Sequence, residues 1–109
     1  MTQAFRAGWI GDYNDANTFA ELLLSDAGLN DFGFNNAKYD ALVRQASLTV
    51  DAGKRAQMLE EAERIMLDEQ PMAPIYFYVV KRLVKPYVLN YETTILNRNP
   101  TRWLAIAKH

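Results

Sequence analysis

The clearest hydrophobic pattern in the chain lies between residues 51 and 71. Apolar side chains recur there at the three-and-four spacing of one helical face, at Met58, Leu59, Ala62, Ile65 and Met66. Charged side chains occupy the positions between them, at Glu60, Glu61, Glu63 and Arg64. Asp51 is a favourable N-cap, and Pro71 cannot continue a helix. The pattern therefore predicts an amphipathic helix between these two residues.

Two further helices are predicted upstream of this one. Residues 37–49 carry a second apolar face, capped by Asn35 or Asn36. That face consists of Tyr39, Leu42, Val43 and Ala46. A shorter helix is expected over residues 16–25, capped by Asn14 or Asp15, with Phe19, Leu22 and Leu23 on one side. Between them, the Gly, Asn and Asp residues of segment 26–36 predict a loop that Phe32 and Phe34 anchor.

Strand-like patterns occur at both ends of the chain. A strand leading into a turn is predicted over residues 1–13, and others over 73–80, 82–88 and 102–107. Aromatic side chains at positions 76–78 would face both sides of a sheet, so we expect that strand to be covered on both sides. The order of elements predicts an α+β fold with helices packed on a small mixed sheet.

Composition narrows the functional classes. The chain has 109 residues, half of them hydrophobic, with a formal net charge of -1 and no cysteine. A modest core is therefore expected, while a nucleic-acid partner, an anionic membrane surface and disulfides are not. The start of the sequence has no signal-peptide pattern. No apolar run approaches the roughly 20 residues of a membrane span.

Residues for catalysis are scarce. Ser25 and Ser47 are the only serines and neither lies in a nucleophile-elbow motif, while the single histidine is the terminal His109. No metal constellation or phosphate-binding loop is recognisable, because Gly8 and Gly11 lack the residues that such a loop needs after them. We therefore predict neither enzyme activity nor a cofactor.

One carboxylate stands in an unusual setting. Asp12 lies among two glycines and two large aromatic rings in the run RAGWIGDYN at residues 6–14. Glycine in an extended run often marks a close approach by a ligand, and a carboxylate there suits an ammonium group. The alternative is that Asp12 is only a turn or helix-cap residue ahead of Asn14 and Asp15.

Several separated motifs together resemble a known family. They are GWIGDYN at residues 8–14, YDALV at 39–43, the helix at 55–69, APIYFYV at 73–79, RLVKP at 82–86 and the closing IAKH. These motifs resemble the C-terminal part of the oligopeptide-binding proteins of ABC importers, extracellular solute-binding protein family 5, which includes murein-tripeptide-binding relatives. The resemblance spans essentially the whole chain.

The resemblance implies a fold and a set of ligand contacts. The chain would be a fragment of a periplasmic-binding-protein-like type II lobe, with the N-terminal lobe missing. Asp12 would pair with the α-ammonium group of an oligopeptide, the backbone groups of Gly8 and Ile10 would border it, and Trp9 would wall a side-chain pocket. The full-length parent would be periplasmic or extracellular and would deliver the peptide to an ABC permease.

Two other functions stay open on the sequence. A chain with so many uncovered apolar faces could be a self-associating module without a ligand, and we expect a homodimer in that case. It could also come from a family-5 protein for a nickel complex, haem or sugar, where Asp12 would have no ammonium group to meet.

Overall fold

The computed structural model describes residues 4–108, in two compact units divided between Pro74 and Ile75. The first unit contains three helices: α1 (Asn17–Ala20), α2 (Ala37–Leu48) and α3 (Ala52–Glu69). A 3₁₀ turn over Glu21–Leu23 directly follows α1. The second unit contains β1 (Val88–Leu89), a 3₁₀ turn over Thr101–Trp103 and β2 (Ala105–Ile106).

The two long helices begin at the caps that their sequences predict. The Asn36 side chain accepts hydrogen bonds from the backbone N–H groups of Lys38 and Tyr39, each at 2.9 Å. The Asp51 side chain accepts one from the N–H of Lys54 at 2.8 Å. Each cap satisfies donors that have no partner within the helix. Both predicted helices are confirmed.

The core of the first unit lies between α2 and α3 and the segment that precedes them. Its cluster of buried residues consists of Leu23, Phe34, Tyr39, Val43 and Ala62. The rings of Phe34 and Tyr39 meet edge to face at 5.2 Å, and the Tyr39 hydroxyl donates to the carbonyl of Ala20 at 2.7 Å. Burial raises the pKa of Tyr39 to about 12. The α2 face predicted from the sequence is therefore the face that packs.

The loop between α1 and α2 is ordered by one side chain. Asn30 donates to the carbonyl of Leu24 at 3.2 Å and to that of Phe34 at 2.7 Å, and its side-chain oxygen accepts the N–H of Phe34 at 3.1 Å. Phe34 is buried and Phe32 packs against the core. The expected role of these two aromatic residues is confirmed.

The first predicted helix is shorter than expected. It was predicted over residues 16–25, whereas α1 covers only Asn17–Ala20 and continues as the 3₁₀ turn. The backbone N–H of Leu24 bonds the carbonyl three residues back, and Leu24 itself is extended. A 3₁₀ turn has poorer hydrogen-bond geometry and rarely runs longer, so the helix ends there.

The strand predictions are mostly wrong. Residues 4–10, 73–80 and 82–87 have no regular secondary structure, and residues 1–3 of the first predicted strand lie outside the described part of the chain. Strand structure needs a paired neighbouring strand, and the sheet of the described residues consists of β1 and β2. The carbonyl of Tyr87, just before β1, accepts the N–H of Ala107 at 2.8 Å, so the pairing reaches one residue into segment 82–87. Within residues 4–108, two short strands form inside the predicted segments 82–88 and 102–107, in antiparallel register with Val88 opposite Ile106 and Leu89 opposite Ala105.

The described residues thus contain helices together with a two-stranded sheet, as the α+β prediction requires. Within residues 4–108, no helix has both the length and the apolar character needed to cross a membrane.

Candidate ligand-binding site

The four predicted site residues lie on an exposed segment that precedes α1. Gly8, Trp9, Ile10 and Asp12 are all solvent-accessible, and the Trp9 ring is 40% exposed. The segment is anchored at its start by Phe5, whose ring stacks on Phe32 with 5.4 Å between centroids. The site residues are therefore presented on the surface of the first unit, next to its ordered loop.

The other end of the segment is fixed at Gly11 and Asp12. The backbone N–H of Asp12 donates to the hydroxyl of Thr18 at 3.1 Å, and Thr18 is completely buried. The chain passes so close to α1 that a Cβ on Gly11 would lie 3.1 Å from the Thr18 methyl group and 3.4 Å from the Phe19 ring. Glycine is needed at position 11 because of this close approach.

A tight turn follows, and Asp15 organises it. The Asp15 N–H bonds the carbonyl of Tyr13 at 2.9 Å, while the Asp15 carboxylate accepts the N–H of Asn17 at 2.8 Å. The Asn17 side chain donates to the Tyr13 hydroxyl at 2.9 Å and to Glu21 at 3.1 Å. These bonds order the turn within residues 11–17, which we call the site loop.

An ion pair joins the site loop to α3. Both guanidinium nitrogens of Arg55 donate to the two carboxylate oxygens of Asp15, at 2.5 and 2.7 Å. The Arg55 side chain is 26% exposed and the Asp15 side chain is 30% exposed, so water screens the ion pair only partly. The Arg55 hydrogen bonds, with that from Asn17, lower the pKa of Asp15. The carboxylate is therefore firmly ionised.

The Asp12 carboxylate, by contrast, has no partner among the described residues. No hydrogen bond or ion pair within residues 4–108 involves its oxygens, and the residue is exposed. The turn role that the sequence offered as an alternative for Asp12 belongs to Asp15 instead. The Asp12 backbone is thus fixed while its charged group is left accessible.

Sequence reasoning missed Thr18 and the pairing of Asp15 with Arg55. Asp15 was considered only as a cap for the first helix, and Arg55 received no role. The two residues are 40 positions apart, and a single sequence carries no local signal that joins them.

None of the predicted site residues lines the best-defined surface depression of the described residues. A surface depression of about 410 Å³ lies along α3 instead, and its lining residues are mostly charged: Lys38, Gln57, Glu60, Glu61, Arg64, Ile65 and Asp68. Two surface ion pairs occur there, Lys38 with Glu61 and Arg64 with Glu60. Among residues 4–108, no group of acidic, His or Cys side chains is arranged to hold a metal ion. His109 lies outside the described residues.

The close approach at Gly11 gives a testable prediction. Gly11→Ala is expected to lower the free energy of unfolding by about 1 kcal/mol or more, because the new methyl group has to displace Thr18 or Phe19. Gly8→Ala is the matched control, since a Cβ there meets nothing within 4 Å. Urea unfolding of both variants measures the difference. Equal stability of the two variants would contradict the fixed position of the site loop.

The lowered pKa of Asp15 gives a second prediction. Its stabilising contribution is present above the unfolded pKa, about 4, and is lost as the pH falls through the still lower folded-state value. Near neutral pH, Asp15→Asn is expected to cost about 1 kcal/mol, between the values for exposed and buried pairs. Urea unfolding at several pH values should show this difference shrinking in acid. A constant difference would show that the pair adds no pH-dependent stability.

Comparison with known proteins supplies the family. No family model matches the chain. The oligopeptide-binding protein OppA of Bacillus subtilis is 46% identical over 77 residues, which are 70% of this chain and 14% of that protein. The periplasmic murein peptide-binding protein MppA of Escherichia coli is 38% identical over 109 residues, covering 95% of this chain and 20% of that protein.

A third relative has a different ligand in its name. The probable deoxycholate-binding periplasmic protein YgiS of Escherichia coli is 42% identical over 83 residues, or 76% of this chain and 16% of that protein. All three relatives are named as binding proteins, which confirms the prediction that the chain does not come from an enzyme.

A solved structure shows the same fold. The unliganded open form of the periplasmic murein tripeptide-binding protein MppA matches with a TM-score of 0.68 at 37% identity, over 93% of this chain and 20% of that one. The match confirms the predicted fold class. The chain spans a fifth or less of the length of these relatives. It belongs, as a segment of that length, to the family of oligopeptide- and murein-peptide-binding solute-binding proteins.

Proposed function

We propose that this chain is the C-terminal part of the substrate-binding component of an ABC peptide importer, and that Asp12 receives the α-ammonium group of the peptide. The observation that carries this proposal is the state of the Asp12 carboxylate. It is exposed and makes no bond to another described residue, although the backbone beneath it is fixed by Thr18. A positively charged ligand group would form a short, charge-assisted hydrogen bond with this carboxylate.

The neighbouring backbone supports a peptide as the ligand. Gly8, Trp9 and Ile10 are exposed, and no backbone hydrogen bond within residues 4–108 uses their N–H or carbonyl groups. An extended peptide can satisfy such groups whatever its sequence, while a charge pair at its end fixes its register. Trp9 offers an apolar surface beside this path.

The rest of the binding site would come from the remainder of a full-length protein. The relatives are five or more times longer than the matched segment. In our proposal an N-terminal lobe, absent here, closes over the peptide by a hinge motion and presents it to a permease, outside the cytoplasmic membrane. This chain alone would bind peptide weakly or not at all, because one face of the ligand would stay in water.

The ammonium site is tested by binding measurements on a full-length protein that carries this segment. Such a protein is the native parent or MppA of Escherichia coli with this chain exchanged for its homologous segment. Trialanine with a free N-terminus is expected to bind more tightly than N-acetylated trialanine. Asp12→Asn should weaken binding of the free peptide by about 2 kcal/mol, or roughly 30-fold, and affect the acetylated one little. Calorimetry measures both affinities.

Asp31→Asn is the matched control, because Asp31 is also exposed and its carboxylate has no bonded partner among the described residues. It removes the same charge from the loop at 26–36, and binding should be unchanged. Equal affinity of the parent for free and acetylated peptide would rule out the ammonium site.

A non-peptide ligand is the alternative that the YgiS likeness favours. A bile salt carries no ammonium group, so Asp12 would have no direct role in holding it. Binding of deoxycholate without any response to Asp12→Asn would therefore support this alternative.

Self-association is a second candidate function, favoured by the exposed apolar residues of segment 75–84. Phe77 and Leu83 are fully exposed, and Ile75 is 84% exposed. A row of exposed apolar side chains often marks a surface that binds another protein chain. We propose that the chain, when isolated, forms a homodimer through this segment.

The dimer is tested with the chain on its own. Phe77→Lys is expected to shift the mass measured by light scattering from dimer towards monomer, because a charge would have to be buried at the interface. Val50→Lys is the control, since Val50 is equally exposed but lies outside the segment. A monomeric unmodified chain, or a dimer that resists Phe77→Lys, would contradict self-association through this segment.

A further inference from the structure

We infer that Arg55 is a positioning residue of the ligand site: through Asp15 it holds the site loop so that the Asp12 carboxylate faces the ligand. This inference rests on the proposed function, and it names the residue outside the site loop that prepares the site. Arg55 does not itself contact the ligand in this account.

The ion pair of Arg55 and Asp15 has a well-defined geometry. Two hydrogen bonds of 2.5 and 2.7 Å link the two ends of a planar guanidinium to the two oxygens of Asp15. A bidentate pair of this kind fixes orientation as well as distance. Arg55 projects from the first turn of α3, an 18-residue helix packed against α2. The pair therefore fixes the position of the site loop relative to α3, a long regular helix.

A continuous set of bonds leads from Arg55 to Asp12. The carbonyl of Asp15 accepts the N–H of Thr18 at 3.3 Å, and the hydroxyl of Thr18 accepts the N–H of Asp12 at 3.1 Å. The close contact of Thr18 with Gly11 leaves the backbone at positions 11 and 12 no room to shift inwards. A change in the Asp15 position is therefore transmitted to the backbone of Asp12.

Charge gives Arg55 a second effect. The site loop carries two carboxylates, Asp12 and Asp15, only three residues apart. Arg55 neutralises Asp15, so that Asp12 is the uncompensated one. Without Arg55, a ligand ammonium group could pair with either of the two carboxylates, that of Asp12 or that of Asp15. The pair therefore supports the register of the peptide as well as the shape of the loop.

The test uses the same full-length protein and the same pair of probes, free and N-acetylated trialanine. Arg55→Lys keeps the charge but cannot form the two-pronged contact. It is expected to lower the ratio of the two affinities by about fivefold or more, while the affinity for the acetylated peptide changes less than twofold. Arg64→Lys is the control, because Arg64 lies on the same helix in an exposed pair with Glu60. It should leave the ratio unchanged.

The possible outcomes separate the inference from the function on which it rests. An unmodified protein that binds both probes equally overturns both. A protein that prefers the free peptide, and keeps its preference in Arg55→Lys, overturns only the role of Arg55. If Arg55→Lys fails to fold, Thr18→Val carries the test, because it removes the acceptor of the Asp12 N–H. An unchanged ratio in folded Thr18→Val would equally overturn the inference.

Discussion

The bidentate pair of Asp15 and Arg55 is the interaction on which the site depends. It joins a seven-residue loop to α3 through two residues that are 40 positions apart in the sequence. The loop has no sheet or long helix of its own, and α1 is a single turn. A second link from the loop to the long helices is the hydrogen bond that the Ser47 hydroxyl of α2 donates to the Asn17 side chain at 3.4 Å. A partly buried ion pair with two hydrogen bonds is directional in a way that apolar packing is not.

Because Asp15 pairs with Arg55, the two neighbouring carboxylates of the site loop lie in different environments. Asp15 is turned to the protein, where it accepts bonds from Asn17 and Arg55. Asp12 is turned to solvent and is bonded only through its backbone. In the proposed site, Asp15 therefore has the structural role, and the Asp12 carboxylate is left accessible to a ligand charge. The relatives, which are peptide-binding proteins by name, are consistent with an accessible negative group.

Local signals in the sequence predicted the helices well. Asn36 and Asp51 are strong caps, and the apolar positions of α2 follow the helical period, so the fold there agrees with the local preferences. The strand at residues 73–80 could not be predicted in the same way. Its residues favour strands, yet a strand forms only against a partner, and the described residues contain none for it.

The site was predictable in part. The position of Asp12 directly after Gly11 and close to Gly8 singled out the segment, and the close approach at Gly11 gives that glycine a physical reason. The sequence alone did not show whether the carboxylate of Asp12 or that of Asp15 would be hydrogen-bonded within the turn. That depended on Arg55, a long-range partner, and on the buried Thr18 hydroxyl, neither of which has a local pattern.

The most direct measurement of the central claim is a crystal structure of the full-length protein with a bound peptide. The account predicts an Asp12 carboxylate oxygen about 2.7–2.9 Å from the ligand's terminal nitrogen, with the fork between Arg55 and Asp15 intact. A bound peptide whose terminal nitrogen lies against another group, with Asp12 pointing into water or paired to an arginine of the same protein, would contradict it.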